Sequence, residues 1–232
     1  MIAAWTSPLQ RMDTPGPLRA VGAALGPRVA YQGEPGAFGE AAIAQRWEGH
    51  AVAVGATTFP RVIGLLLARQ VDLAVLPTWN STIGPILGAH ELLYDNRTRV
   101  EVIDEVALPV HHAVLALPGA SLASVRAVGS HHAALGQCAR FFAEHPLVTA
   151  YEAFDTAGAA RELAALVGGA PQGLTPPWYA SVPQAAPETL AVIASEAAAQ
   201  RHGLVVLASA VQDHADNETR FAVLRRHEGG RA

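Results

Sequence analysis

The residues of this chain whose types suit chemistry sit where apolar runs are interrupted. Within the long run of residues 204–224, Asn217, Glu218, Thr219, Arg220 and Phe221 set a hydroxyl and a guanidinium side by side, a polar insertion that invites a catalytic reading. His112 interrupts a second long strand-like run, residues 100–117, beside the apolar residues 113–117. An unpaired imidazole there would be costly, so it has a polar partner in the core or faces a cleft. Asn80, Ser81 and Thr82 follow one β-rich run, and Ser130 with His131 follows another. Both positions suit helix caps, which Ser and Asn favour, and both suit a ligand site at strand exits. Asp155 and Thr156 occupy a comparable helix start, where a cap is the simpler reading. Gly33, Glu34, Pro35, Gly36, Ala37 and Phe38 form a Gly-containing turn ahead of a helix. That turn is a plain connection, or its backbone N–H groups hold an anion.

Composition removes several reaction classes. All 16 basic residues are Arg and none is Lys, which excludes a Schiff-base lysine and a phosphate-loop lysine. Arg suits planar recognition of carboxylates, although compositional bias accounts for most of these arginines. The single cysteine, Cys138, forms no internal disulfide, and no Cys and His spacing suggests zinc. A net charge of -4 without a basic stripe argues against nucleic acid as a partner. Residues 1–27 hold Pro8, Pro15, Pro17 and Pro27 with no apolar run of signal-peptide type, and no stretch is long enough to span a bilayer. The expectation is a flexible leader on a soluble cytoplasmic protein.

The elements that must position these residues follow from hydrophobic patterning. With 50% hydrophobic and 16% charged residues the chain is globular. From Arg28 onward short β-rich runs alternate with helical patterns, as in parallel sheets with crossover helices. Strands are expected over residues 29–33, 51–56 and 71–76, with helices over 38–48, 59–70 and 84–93. The order then recurs: strands over 126–129, 147–154 and 190–194, and helices over 132–144, 157–167 and 196–202. Two related α/β lobes result, with ligands expected in the crevice between them. The long runs 100–117 and 204–224 are extended enough to cross between lobes. Lobe 1 is therefore expected over residues 28–108 and 218–228 and lobe 2 over 109–217, with a Pro-rich loop inserted at about 168–188. That insertion is a surface loop or a lid.

Taken together these residues resemble the prephenate dehydratase family over about residues 28–226. The block from Val29 to Phe38 is similar to the family's opening strand and turn, and Ser130, His131, Ala134, Leu135, Gln137 and Cys138 to its serine, histidine and glutamine-cysteine signature. Asp155 to Ala160 resembles the next helix start in the form common in arogenate dehydratases. Gln212, Asp213, Asn217, Thr219, Arg220 and Phe221 resemble the closing block with its threonine-arginine-phenylalanine triplet. A decoy at Asp95, Asn96, Thr98, Arg99 and Val100 lacks the preceding context. Two departures stand out: Trp79 replaces a glutamate in the run Pro77, Thr78, Trp79, Asn80, Ser81, and His132 and Ala133 replace a proline and a glutamine.

The resemblance implies a fold like that of type II periplasmic binding proteins and conversion of prephenate to phenylpyruvate, carbon dioxide and water, without metal or redox cofactor. It assigns Thr219 as donor to the departing ring hydroxyl, with His112, Ser130 and His131 as catalytic neighbours. Asn80, Ser81, Thr156, Arg220, Phe221, Phe38 and the turn at Gly36 and Ala37 would bind substrate. It further implies a homodimer, and no C-terminal ACT regulatory domain, because the chain ends at Ala232. Two alternatives stay open: an arogenate dehydratase, and a non-catalytic two-lobed binding protein.

Overall fold

The computed structural model describes residues 26–168, 177–182 and 186–227. The expected leader falls outside these but for its last two residues, as does part of the expected insertion over 168–188. Eight elements come first: β1 (Arg28–Gln32), α1 (Phe38–Arg46), β2 (Val52–Ala56), α2 (Phe59–Leu67), β3 (Leu73–Asn80), β4 (Gly84–Pro85), α3 (Leu87–Asp95) and β5 (Val100–Pro109). Then follow β6 (Ala113–Ala116), β7 (Ala127–Ser130), α4 (His132–Gly136), α5 (Ala139–Glu144), β8 (Thr149–Glu152), α6 (Thr156–Gly168), β9 (Leu190–Ala194), α7 (Glu196–His202), β10 (Val205–Ala208) and β11 (Glu218–Arg226).

Two sheets form. The first runs β2-β1-β3-β11-β5, with β4 paired to β3, and the second runs β10-β6-β9-β7-β8. The chain leaves the first sheet along β5, enters the second at β6 through Val110, His111 and His112, and returns from β10 to β11. Because β5 leaves and β11 returns, the two pair antiparallel, and β11 is antiparallel to β3 as well. Each sheet is mixed: in the first β1 is parallel to β2 and β3, and in the second β7 is parallel to β8 and β9 while β6 is antiparallel to β9 and β10.

Alternation along the strands divides each core between two faces. In the first sheet Ala74, Leu76, Ala222 and Leu224 pack under α2, whereas Val29, Tyr31, Val75 and Val223 pack under α1 with Ile43. In the second, Leu115, Val192 and Leu190 pack with Leu163 of α6, and Val114 and Ile193 pack with Phe141 of α5. Tertiary pairing moves some boundaries. β3 runs on to Asn80 because β11 and β4 pair with its end. The helix expected over 132–144 breaks at Gln137 and Cys138, since Asp213 supplies a fresh cap: its carboxylate accepts from Ala139 N and Arg140 N, both at 2.9 Å.

The turn before α1 is gripped by the second lobe. Ser195 Oγ donates to Gly36 O at 2.7 Å, and Arg161 pairs with Glu34 at 3.7 Å. Gly36 has φ of +94°, and a Cβ there would stand 2.8 Å from Ala198 Cα, so glycine is required on both counts. Gly129 on β7 is required for a different reason: an added Cβ would overlap the indole ring of Trp178. Gly129→Ala is expected to lower stability by about 1–3 kcal/mol through overpacking, read as a lower denaturant midpoint at unchanged slope. An unchanged midpoint would mean that Trp178 does not seat against β7.

Candidate active site

Antiparallel pairing of β3 with β11 sets Asn80 opposite Thr219 and Trp79 opposite Arg220. Successive strand residues face opposite ways, so Asn80 and Thr219 turn inward while Trp79 and Arg220 turn outward. Asn80, 3% exposed, is the centre of a buried amide network. Its Nδ2 donates to Thr219 Oγ1 at 2.9 Å, Asn217 Oδ1 at 2.8 Å and Glu218 O at 3.1 Å. Its Oδ1 accepts from Thr82 N at 2.9 Å, Ile83 N at 3.2 Å and Gln137 Nε2 at 3.2 Å. Gln137 Oε1 in turn accepts from Asn217 Nδ2 at 3.0 Å and lies 2.9 Å from His112 Nε2. An amide oxygen only accepts, so Nε2 of His112 carries the ring proton.

The network borders a cavity of about 220 Å³ between the lobes. Phe38, Val75, Pro77, Ile86 and Phe221 give it apolar walls, and Asn80, His112, His131, Gln137, Thr156 and Thr219 give it polar groups. Burial pulls the pKa of His112 below the ordinary histidine value, an effect that Gln137 partly offsets and His111 adds to. Burial also lowers that of His131, helped by His132. Both rings are therefore neutral at pH 7. His131 Nδ1 accepts from Ala133 N at 3.3 Å, capping α4, so its proton sits on Nε2.

Of the residues the sequence suggested, Ala37, Phe38, Asn80, His112, His131, Thr156, Thr219 and Phe221 line this cavity. Four do not. Ser130 is fully buried and its hydroxyl donates to Ile193 O at 2.6 Å, a brace between β7 and β9. Ser81 ties the turn after β3 to β11, accepting from Glu218 N at 2.9 Å and donating to Asp216 O at 3.3 Å. Gly36 faces α7. Arg220 lies on the outer face of β11, its guanidinium 4.9 Å from the Trp79 ring centroid and paired with Glu218 at 3.3 Å and Glu105 at 3.8 Å. Trp79 therefore makes a cation–π contact outside the cavity, and its departure from the family's glutamate leaves the cavity lining untouched.

Gln137, Asn217 and Asp155 also belong to the site, although the resemblance assigns none of them a role. Gln137 and Asn217 stand in the blocks that resemble the family's, and Asp155 reads from the sequence as a helix cap. It is one: Asp155 Oδ1 accepts from Gly158 N at 2.5 Å, yet the same residue lines the cavity. Cys138 beside Gln137 is buried, and burial followed by the nearby Asp213 pushes its thiol up to about 12, so it is no nucleophile. Among the described residues no cluster of three or more His, Cys, Asp or Glu is placed to hold a metal ion.

The description prephenate dehydratase belongs to the family model that matches residues 29–229. The chain belongs to the prephenate dehydratase family. Arogenate dehydratase 1 of Petunia hybrida is 38% identical over 200 residues, which cover 86% of this chain and 42% of that protein. The chain thus spans less than half the length of the curated relatives it matches. Prephenate dehydratase of Arthrobacter aurescens, solved with L-Phe, shares the fold at a TM-score of 0.72 and 24% identity, covering 87% of this chain and 61% of that one. A protein described as a novel type of quorum quenching acylase superposes at a TM-score of 0.70 with 27% identity, covering 88% of this chain and 66% of that one.

Proposed function

We propose that this chain catalyses the decarboxylating dehydration of prephenate, or of its amino counterpart arogenate, giving phenylpyruvate or phenylalanine with carbon dioxide and water. The observation that carries this reading is the Asn80 to Thr219 hydrogen bond. Because Thr219 Oγ1 accepts from the Asn80 amide, its own proton is free to point into the cavity, and accepting one hydrogen bond strengthens a hydroxyl as donor.

In this reaction the ring carboxylate leaves as carbon dioxide, its electron pair enters the ring, and the hydroxyl on the opposite carbon departs as the ring becomes aromatic. Charge develops on the departing oxygen. A donor preorganised there stabilises that charge, and a threonine hydroxyl does so by hydrogen bonding rather than by prior proton transfer. His112 acts through Gln137, to which its proton is committed, whereas His131 Nε2 is an N–H donor on the cavity wall. The cavity also meets the start of α1, whose N-cap Ala37 supplies no side-chain hydrogen bond. First-turn N–H groups there suit a substrate carboxylate.

The acylase activity named for one structural relative would need an activated nucleophile. Ser130 is committed to Ile193 O and Thr219 to an amide rather than to a base, which favours the dehydratase. Incubating the purified chain with prephenate and with arogenate, and following the aromatic product, tests the proposal; turnover of neither would overturn it. A homodimer in the cytoplasm completes the reading. Exposed Leu87 (69%) and Tyr94 (66%) on α3 offer apolar surface to a second copy, and a free buried Cys138 suits a reducing compartment. Sedimentation at micromolar concentration is expected to give the dimer mass, and a monomer would count against it.

A further inference from the structure

Among its described lining residues the cavity holds one carboxylate, Asp155, and no Arg. Capping does not explain that charge. A neutral oxygen caps a helix as well as a carboxylate does, and Thr58 and Ser195 cap α2 and α7 in this chain. Nor is the charge matched by a neighbouring cation. Arg161, the basic group that acts on Asp155, pairs with Glu34 at 3.7 Å and Glu162 at 3.9 Å, and Asp155 forms no ion pair among the described residues. Burial consequently pushes the Asp155 carboxyl above its ordinary value, against the pull of its backbone N–H partners and Arg161.

A carboxylate placed so is unfavourable for a dicarboxylate ligand without a cation and favourable for one that carries an ammonium group. Prephenate is the first kind and arogenate the second, the two differing at the side chain. The location agrees with that role. Asp155 stands between β8 and α6, and shares no hydrogen bond with the network around Thr219. In this substrate class the departing hydroxyl and the side chain occupy opposite carbons of the ring, so the residue that reads the side chain should be separate from the one that serves the hydroxyl.

We propose that Asp155 is a specificity-determining residue that pairs with the side-chain ammonium group of arogenate and sets a preference for that substrate over prephenate. This rests on the dehydratase reading above.

The test is Asp155→Asn, which keeps a capping oxygen and removes the charge. The ratio of kcat/KM for arogenate to that for prephenate is expected to fall about 10- to 100-fold, the size of a hydrogen bond to a charged group. A wild-type preference for prephenate, or a ratio unchanged by the substitution, would overturn the proposal. Asp155→Ser, a second capping variant, gives the same reading if the asparagine protein does not fold. Calorimetric binding of L-phenylalanine and phenylpyruvate, which differ by the same amino group, separates the two claims. Should neither substrate be turned over, the dehydratase reading fails, and the specificity proposal is then decided by whether Asp155→Asn removes a preference for phenylalanine.

Discussion

Thr219→Ala is expected to lower kcat at least about 100-fold while KM stays within a few-fold, because a donor aimed at a departing oxygen acts on charge that exists only in the transition state. The hydroxyl it removes is held by Asn80 at 2.9 Å and borders the cavity. Thr98→Ala deletes the same group from a similar local sequence, on an exposed turn after α3, and should leave kinetics unchanged. Steady-state assays of both variants on prephenate and arogenate make the comparison. Normal turnover by Thr219→Ala on either substrate would remove threonine from the mechanism.

Asn80→Asp should be nearly as damaging although Thr219 is intact. The native amide nitrogen faces three acceptors: Thr219 Oγ1, Asn217 Oδ1 and Glu218 O. A carboxylate oxygen in its place repels the last two and draws the Thr219 proton to itself in a charge-assisted bond, away from the substrate. Turnover is expected to fall at least about 100-fold, and stability by about 1–3 kcal/mol for the acceptors left unpaired. The double variant with Thr219→Ala should lose little further turnover, since both changes remove one donor. Multiplying losses in that cycle would show that Asn80 acts independently of Thr219.

Phe38, Thr219 and Phe221, which the sequence singles out, line the cavity, and the succession of strands and helices was largely readable from hydrophobic period and turn residues. Those signals are local. β9 and α7 fall within their expected bounds because their patterns are uninterrupted and a Ser cap and a C-terminal Gly203 mark the helix ends. Asp155 as a cap was legible for the same reason.

What only the tertiary structure decided is the direction in which polar side chains point and what they meet. Thr219 and Arg220 are neighbours in the sequence and opposites in the strand, so the site takes the hydroxyl while Trp79 takes the guanidinium. Ser130 and His131 are adjacent too, yet one hydroxyl is consumed by Ile193 O across the sheet and the next ring opens to the cavity. The amide network joins Asn80, Gln137 and Asn217 from three distant stretches of chain, and the break between α4 and α5 comes from Asp213, remote in sequence from the helices it separates. Periodicity reports burial against an average core, whereas hydrogen bonds between residues far apart in the chain exist only after the crossing strands have brought the two sheets together. The same physics makes Asp155 both a local cap and the cavity's carboxylate: its sequence neighbours set the first role, and the opposing lobe sets the second.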